Sequence, residues 1–414
     1  MPCPCASRRC AGPGSSGCGT SGGRCVLSSV ATTPPYDVLI VGAGPAGAAC
    51  ALALAGSGLR VALVDKARFP RDKVCGDAIP GPTLKALARL KPAYAQELRN
   101  LTQAHRTDVR TSRLLSPAGV EVSVEWRAPA FNSPRLHFDE ALLTLVRRHT
   151  STTLLEGDAV KKVWQTDELV MAQLTDQTEL RARLIIGCDG THSVVGRSLL
   201  PQPLNRARHC AAVRAYYRGV TDAPETTSEF LFLRRYRAGY CWVFPVGGGV
   251  YNVGFGMLSA DIARHKVDLK QELQQLLTTH PALASRFRAA LPLGPVQGFG
   301  LPLGGSGRPL SGRRVLLCGD AAALIDPLQG HGIDKAVISG ILAAEHARRC
   351  CEAQDFSRAS LAQYDQAVHR RLGRDLARRY QLMRVLARAP WLVELAFAAG
   401  RWPRLRRWLV QAVG

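Results

Sequence analysis

Two short runs without a polar interruption, Val38-Leu-Ile-Val41 and Val61-Ala-Leu-Val64, stand out in the hydrophobic pattern of this chain. Runs this short, apolar at both alternating positions, mark strands buried on two faces, as in a parallel sheet. The pattern predicts a strand over 36–41, a helix over 45–56 and a second strand over 59–65 ending at Asp65. Helical periodicity follows over 82–104. The period then drops to two: Val120-Glu-Val-Ser-Val-Glu-Trp126 alternates apolar and polar residues, so antiparallel strands are expected near 108–126. A helix over 138–149 and strands within 152–187 come next. Residues 207–256 are β-rich again, including Tyr240-Cys-Trp242-Val-Phe244-Pro245 and Val250-Tyr-Asn-Val-Gly254-Phe-Gly256. A helix over 261–290, a strand over 314–318, a helix over 332–350 and a basic helical end over 357–413 complete the pattern, with no internal repeat. The order fits an α/β lobe interrupted by an antiparallel β lobe, followed by a helical C-terminus.

Three of the apolar strands run into glycine or acid–glycine turns. The first turn is Gly42-Ala-Gly44-Pro45-Ala46-Gly47, directly before the first helix. Gly42 permits a tight turn, Gly44 lets a phosphate approach the backbone, and Gly47 lets helix pack on strand. The helix N-terminus behind them favours a pyrophosphate through its dipole and free N–H groups. Asp65, followed by Lys66, closes the second strand at the distance where an acid meets the adenosine ribose hydroxyls. The second turn, Asp189-Gly190, follows Leu184-Ile-Ile-Gly-Cys188 and precedes Ser193-Val-Val-Gly-Arg197. It suits either a ribose or water contact or an ordinary turn. The third is Gly319-Asp320, with Asp326-Pro327-Leu-Gln-Gly330-His331-Gly332-Ile333 after it. There a carboxylate can meet ribityl hydroxyls, and a helix N-terminus can stabilise negative charge on a reduced ring. A nicotinamide dehydrogenase needs only the first turn. Loops for both ends of one dinucleotide indicate FAD.

In this order the three loops resemble the FAD-binding signature of p-hydroxybenzoate-hydroxylase-like flavoproteins. Two further segments, Phe69-Pro-Arg71-Asp-Lys73-Val-Cys75-Gly76-Asp77 and the Tyr240-x-Trp242-x-Phe244-Pro245 run with Gly254 and Gly256 after it, resemble the geranylgeranyl reductase family. That resemblance covers roughly residues 36–350. It implies a Rossmann-type FAD-binding lobe divided over 35–105, 135–205 and 301–350, a substrate lobe over 106–134 and 206–300, and a basic helical region over 351–414. It also implies reduction of isoprenoid carbon–carbon double bonds. Arg71, Lys73, Cys75 and Gly76 would flank the flavin, with Cys75 as the catalytic candidate, and Arg135 would help hold the phosphates. Tyr240, Trp242, Phe244 and Pro245, with Gly254 and Gly256, would line a prenyl slot. Two alternatives stand beside these roles: Cys75 as a packing thiol, and Trp242 and Phe244 as ordinary sheet core. The chain departs from the family at His331, where a glutamate is common. An imidazole there would titrate near neutrality or sit in a surface loop. The electron donor would be NAD(P)H, visiting transiently because no second dinucleotide turn is present, or a reduced protein of the ferredoxin type. The runner-up activity is a flavin monooxygenase acting on an aromatic or polyketide-like substrate. A non-catalytic flavin sensor or membrane-binding module is disfavoured by intact motifs for both ends of FAD.

Composition changes this picture at the ends. The chain has 414 residues, 46% of them hydrophobic, and no apolar run of about 18 that would span a membrane. Residues 1–34 carry Cys3, Cys5, Cys10, Cys18 and Cys25, several arginines and no acid. They lack the apolar core of a secretory signal. A transit peptide and a disordered tail both fit, and the composition favours the tail. Cys50, Cys75, Cys188, Cys241 and Cys318 form no Cys-x-x-Cys set, so no metal is expected and reduced cytoplasmic thiols suffice. The formal charge of +22 is too scattered for a nucleic-acid site. It thickens at Arg370-Arg371, Arg378-Arg379 and Arg404-Leu-Arg406-Arg407-Trp408, which suits peripheral contact with the inner membrane face or merely reflects arginine-rich codons.

Deleting residues 1–33 is expected to leave solubility and flavin content intact, because the first strand begins at Tyr36. Loss of folded protein on that truncation would overturn the tail reading.

Overall fold

The two apolar runs lie side by side. In the computed structural model, which describes residues 34–402 apart from 103, 104, 204 and 401, Tyr36–Val41 (β1) pairs in parallel with Val61–Asp65 (β2), Val38 opposite Val61. The tail over 1–33 and the Arg404–Trp408 segment fall outside the described residues. Glu179–Gly187 (β3) pairs with the other edge of β1, also in parallel. Thr153–Glu156 and Val315–Leu317 extend the sheet, and an antiparallel hairpin over 160–174 is attached to β3. The strand residues Val38, Leu39, Ile40, Ala62, Leu63, Leu184, Ile185 and Ile186 are fully buried, because helices cover both faces.

Small residues let those helices come close. Pro45–Ala53 (α1) contains only proline, alanine, glycine, cysteine and leucine. Arg135–His149 (α2) packs on it, as does the long helix Ile333–Ala353 (α3). A Cβ added at Gly340 of α3 would lie 2.2 Å from the Ala46 carbonyl oxygen, so backbone meets backbone where the two helices cross.

The second sheet has nine strands and is mostly antiparallel. Its centre is His209–Arg218 (β4), Thr227–Leu233 (β5), Tyr236–Gly247 (β6) and Val250–Leu258 (β7), in the spatial order β4-β7-β6-β5. Alternation divides its faces. Val213, Ala215, Cys241, Val243, Val253 and Phe255 point one way, into a core with Leu273, Leu277 and Phe287. Arg214, Tyr216, Tyr240, Trp242, Phe244 and Asn252 occupy the alternate positions, on the opposite face.

Several helices differ from the pattern-based expectation, chiefly around prolines. The 82–104 segment is two helices, Gly81–Leu90 and Pro92–Arg99, because Pro92 forces the extended conformation on Lys91. The 261–290 segment is three: Ser259–His265, Leu269–Thr279 and Ala284–Phe287. Lys266 in the left-handed region and the extended His280 before Pro281 make the breaks. Helix α2 starts at Arg135 rather than 138, directly after Pro134. Arg374–Arg388 (α4) and Pro390–Gly400 (α5) form the described part of the C-terminus. Phe397 of α5 packs edge-on against Phe232 of β5, with ring centroids 5.8 Å apart. Among the described residues no helix is long and apolar enough to cross a membrane.

Candidate functional site

The first turn is shaped by what cannot fit there. Gly42 has φ +102, and a Cβ on it would fall 2.4 Å from the Cys188 carbonyl oxygen. At Gly47 a Cβ would lie 1.8 Å from the carbonyl oxygen of Gly42. Gly44 is the open member: only the Arg71 Nη2 comes within 3.6 Å of its missing Cβ. No side chain caps α1 at Gly44, and Pro45 suits the first helical position because it has no N–H to leave unpaired. Asp65 ties the turn to β2, its Oδ2 accepting from Ala43 N at 2.8 Å and its Oδ1 from Ala67 N at 2.9 Å. Lys66 is exposed.

Asp189 has a local task. Its Oδ1 accepts from the Ser193 hydroxyl at 2.6 Å and its Oδ2 from the amides of Val194 and Val195 at 2.6 and 3.2 Å, which caps the helix Val194–Leu199. Burial pushes its pKa up against these hydrogen bonds. Gly190 makes the left-handed turn that follows, with φ +78. The pair thus forms a turn and a helix cap at the end of β3.

The third loop folds around Asp326. Its buried carboxylate accepts from Leu328 N (2.9 Å) and Gln329 N (3.0 Å) and pairs with Arg379 of α4 at 3.1 Å. Pro327 follows it in the turn. Gly330, with φ +73, passes so close to Tyr240 that a Cβ would lie 2.6 Å from the phenol oxygen, and the Tyr240 hydroxyl donates to Gln329 O at 2.8 Å. Gly332 precedes α3, which begins at the buried Ile333 and has no side-chain cap. His331 is pinned rather than free in a surface loop: Nδ1 lies 2.9 Å from Asp334 Oδ1 and Nε2 lies 2.6 Å from Gln329 Oε1. Burial raises the Asp334 pKa, but His331 and the Lys335 ammonium outweigh it and hold the carboxyl well below the usual range. The Gly319 amide donates to Ser339 Oγ at 3.0 Å, and Asp320 stands beside it, half-buried.

The segment over 69–77 joins these parts. Arg71 pairs with Asp139 at 2.8 Å, and Arg135 grips the same carboxylate twice, at 2.6 and 2.7 Å. Burial opposes the charge on Arg135, but Asp139 and the neighbouring Cys75 more than restore it, so its pKa is raised. Lys73 reaches Asp320 at 3.3 Å and lies over the Phe299 ring. Gly76 rests on the sheet: its missing Cβ would be 3.4 Å from Phe244 and 3.6 Å from the Trp242 nitrogen.

That sheet face is aromatic. The rings of Tyr240 and Trp242 are 6.0 Å apart, those of Trp242 and Phe244 6.2 Å, and Phe230 of β5 stands 5.0 Å from Phe244. Trp242 lies flat across β7, because Gly254 opposite it has no side chain; a Cβ there would fall 2.2 Å from the indole. Gly256 is opposite Tyr240 in the same register. Pro245 is buried, and its carbonyl accepts from Asn132 Nδ2 at 2.9 Å.

The residues that the sequence did not single out are polar ones beside these rings on the same face. Asn252 takes the indole N–H on Oδ1 (2.9 Å) and donates from Nδ2 to Cys75 O (2.7 Å) and Asp77 Oδ2 (2.8 Å). Asp77 is fully buried, has φ +64, and accepts the Tyr216 hydroxyl on Oδ2 at 2.6 Å. Its Oδ1 has no hydrogen-bond partner. Burial lifts its pKa to about 6, against the opposing pull of Tyr216, Asn252, Arg214 and Arg135. The available signals were the acid directly after Cys75-Gly76 and the polar positions alternating along β4 and β7.

Fold and loops together define an α/β flavoprotein with an antiparallel sheet over its cofactor lobe. Residues 35–224 match the FAD binding domain family. Menaquinone reductase of Mycobacterium tuberculosis is 35% identical over 331 residues, 75% of this chain and 76% of its own length. Digeranylgeranylglycerophospholipid reductase of Thermoplasma volcanium is 28% identical over 361 residues, 85% of this chain and 88% of its own. A solved structure, a geranylgeranyl bacteriochlorophyll reductase-like protein from Thermoplasma acidophilum, superposes with a TM-score of 0.75 at 25% identity, covering 85% of this chain and 88% of that one. The chain belongs to the geranylgeranyl reductase family of FAD-dependent oxidoreductases.

Gly254→Ala is expected to drive the indole off β7 and destabilise the protein by about 1–3 kcal/mol, the usual cost of overpacking. Differential scanning calorimetry with tryptophan emission checks this. A melting curve and spectrum identical to wild type would mean that the ring does not rest on bare backbone.

Proposed function

We propose that this enzyme saturates carbon–carbon double bonds in a geranylgeranyl-type chain carried on a lipid, quinone or pigment head group. The observation that carries the reading is the aromatic face of Tyr240, Trp242 and Phe244 standing against Gly76, with the third loop closing on it at Tyr240. The reductase names of the relatives support the same class of substrate.

The residues present fit FAD. Two helix N-termini, at Gly44 and Gly332, lack side-chain caps and so keep backbone N–H groups for an anionic ligand. Open space at Gly44 faces the Arg71 guanidinium, which would sit beside the pyrophosphate with Arg135 behind it. Gly42, Ala46 and Gly47 would shape the turn, Asp65 would meet the adenosine ribose, and Asp320 the ribityl chain. Lys73, His331 and the N-terminus of α3 would surround the ring with positive potential. When bound, FAD supplies the hydride. The protein's part is to bury the chain, at about 0.8 kcal/mol per CH₂ taken from water, and to bring a proton to the second alkene carbon. Cys75, next to Arg135 and the wall, is the proposed residue facing the reacting carbons. NAD(P)H or a ferredoxin-type protein is the proposed electron source.

A membrane face fits a lipid-borne substrate. Trp391 and Leu395, one turn apart on the outside of α5, and Trp402 beyond its end are 61%, 56% and 68% exposed. Its inner side is fixed by Phe397 and by Glu394, which accepts the Ser116 hydroxyl at 2.8 Å. The exposed Arg384 and Arg388 lie just before this stripe. Aromatic residues beside arginines suit the headgroup region of an anionic bilayer. The proposed location is therefore cytoplasmic and peripheral to the inner membrane face.

Two measurements check these readings. Reduced enzyme without oxygen, mixed with geranylgeranyl diphosphate, geranylgeranyl glycerophospholipid or menaquinone, is expected to reoxidise with a saturated product by mass spectrometry. Reoxidation only by oxygen, with a hydroxylated product, would make it a monooxygenase. Cys75→Ser is expected to keep FAD and slow the alkene step at least about tenfold, roughly 1.4 kcal/mol of barrier; a normal rate with a lowered melting temperature would assign Cys75 to packing. Separately, the protein should sediment with vesicles containing anionic lipid and not with neutral ones, and Trp391→Ala with Leu395→Ala should release it. Equal sedimentation of the double variant would remove α5 from the contact.

A further inference from the structure

Adding hydrogen across an alkene takes a hydride for one carbon and a proton for the other. A slot that buries a prenyl chain excludes the water that would otherwise give the proton, so a side chain has to store it. The buried carboxyl two residues after Cys75 has the properties of such a store. Asp77 is sealed from solvent, yet it is not locked in an ion pair as Asp139 is: it accepts one phenol and one amide, and leaves Oδ1 without a donor. An ionised carboxylate with an oxygen unpartnered in a buried site is costly, so the site holds the proton to higher pH than a free carboxyl does.

Resting on the reductase reading above, we infer that Asp77 is the proton store for the double-bond reduction, recharged through the Tyr216 hydroxyl. In the step itself the Asp77 O–H bond breaks and its proton ends on the second alkene carbon, as a new C–H bond. The hydride forms the other C–H bond, the double bond supplies the electron pair for the proton, and Asp77 is left as carboxylate. Tyr216 then gives its proton to Oδ2 and takes one from water. One hydride and one solvent proton are consumed per bond reduced.

The surroundings suit this cycle. Tyr216 is partly exposed and its hydroxyl donates to Asp77, so it links the buried carboxyl to a residue at the edge of the solvent. Burial and the adjacent carboxyl raise the Tyr216 pKa, so it relays a proton without becoming a stable anion. The charged and titratable groups around Asp77 are Tyr216 and Arg214 from β4, Arg135 from α2, and Cys75 in its own segment, with Asn252 from β7 as the neutral partner. Arg214 stacks on the Tyr216 ring and is itself paired with the exposed Asp72. The hydrogen bonds from Tyr216 and Asn252, and after them the charges of Arg214 and Arg135, limit the rise that burial imposes and keep the proton mobile, leaving the acid titrating at about 6. Asn252 couples the store to the wall, since the same amide also holds Cys75 O and the Trp242 indole.

The test uses holoenzyme and two readouts. Difference infrared spectra are expected to show the carbonyl band of a protonated carboxylic acid at pH 5, fading as pH rises through about 6 and missing from Asp77→Asn. Tyr216→Phe removes a hydrogen bond that favours the carboxylate, so in that variant the band should persist to higher pH. The alkene step should slow as pH rises through the same range, fall at least about tenfold and lose its pH dependence in Asp77→Asn, and recover it in Asp77→Glu. FAD content and melting temperature show whether Asp77→Asn is folded. No band at pH 5, or an alkene rate in folded Asp77→Asn equal to wild type, overturns the assignment while leaving the reductase reading in place. Wild-type enzyme that reduces no alkene overturns both.

Discussion

The whole arrangement depends on backbone packed against backbone in the cofactor lobe. Gly47 sits on the carbonyl of Gly42, Gly340 of α3 sits on the carbonyl of Ala46, and neither contact leaves space for a methyl group. These contacts set α1 and α3 at their closest approach and bring the N-terminal ends of both helices to the same side of the parallel sheet. The two turns far apart in sequence face one another for that reason. The small residues of α1, a poor source of side-chain burial, make sense as the condition for this approach.

Over that base, the segment at 69–77 acts as a strap held by charge. Arg71 and Arg135 share Asp139, Lys73 meets Asp320, and Gly76 lies on the aromatic face. Each of these cations touches a carboxylate, two of them the same one. The net charge of +22 therefore says little about the site and describes mainly the surface. Removing Asp139 would leave the Arg135 guanidinium buried without its counter-ion, which is the costly way to break such a set.

Much of this was legible before any coordinates. Apolar runs gave β1, β2 and β3, glycine spacing gave the turns, and the alternating aromatics of β6 marked the aromatic sheet face. What the pattern missed has physical causes. Helix ends moved where proline excludes the helical conformation from its neighbour, at Lys91 and His280. Asp189 carries a motif position, and the pattern did not show that its oxygens also hold the Ser193 hydroxyl and the Val194 amide. Asp77 and Asn252 stayed hidden because their meaning arises only in the cross-strand register that sets Asn252 opposite Tyr216, a relation that local sequence does not contain.

The flat seat of Trp242 on Gly254 has a consequence for how such a site changes over time. A wall floored by side chains can be resized by single substitutions, since neighbouring rotamers yield. A floor of peptide backbone has no rotamers, so its depth is set by sheet geometry and stays constant while residues around it drift. Variation in what the site accepts would then have to enter at the rim, through Tyr240, Phe230 and the C-terminal helices. The glycine makes this part of the enzyme a fixed gauge against which the rest can be varied.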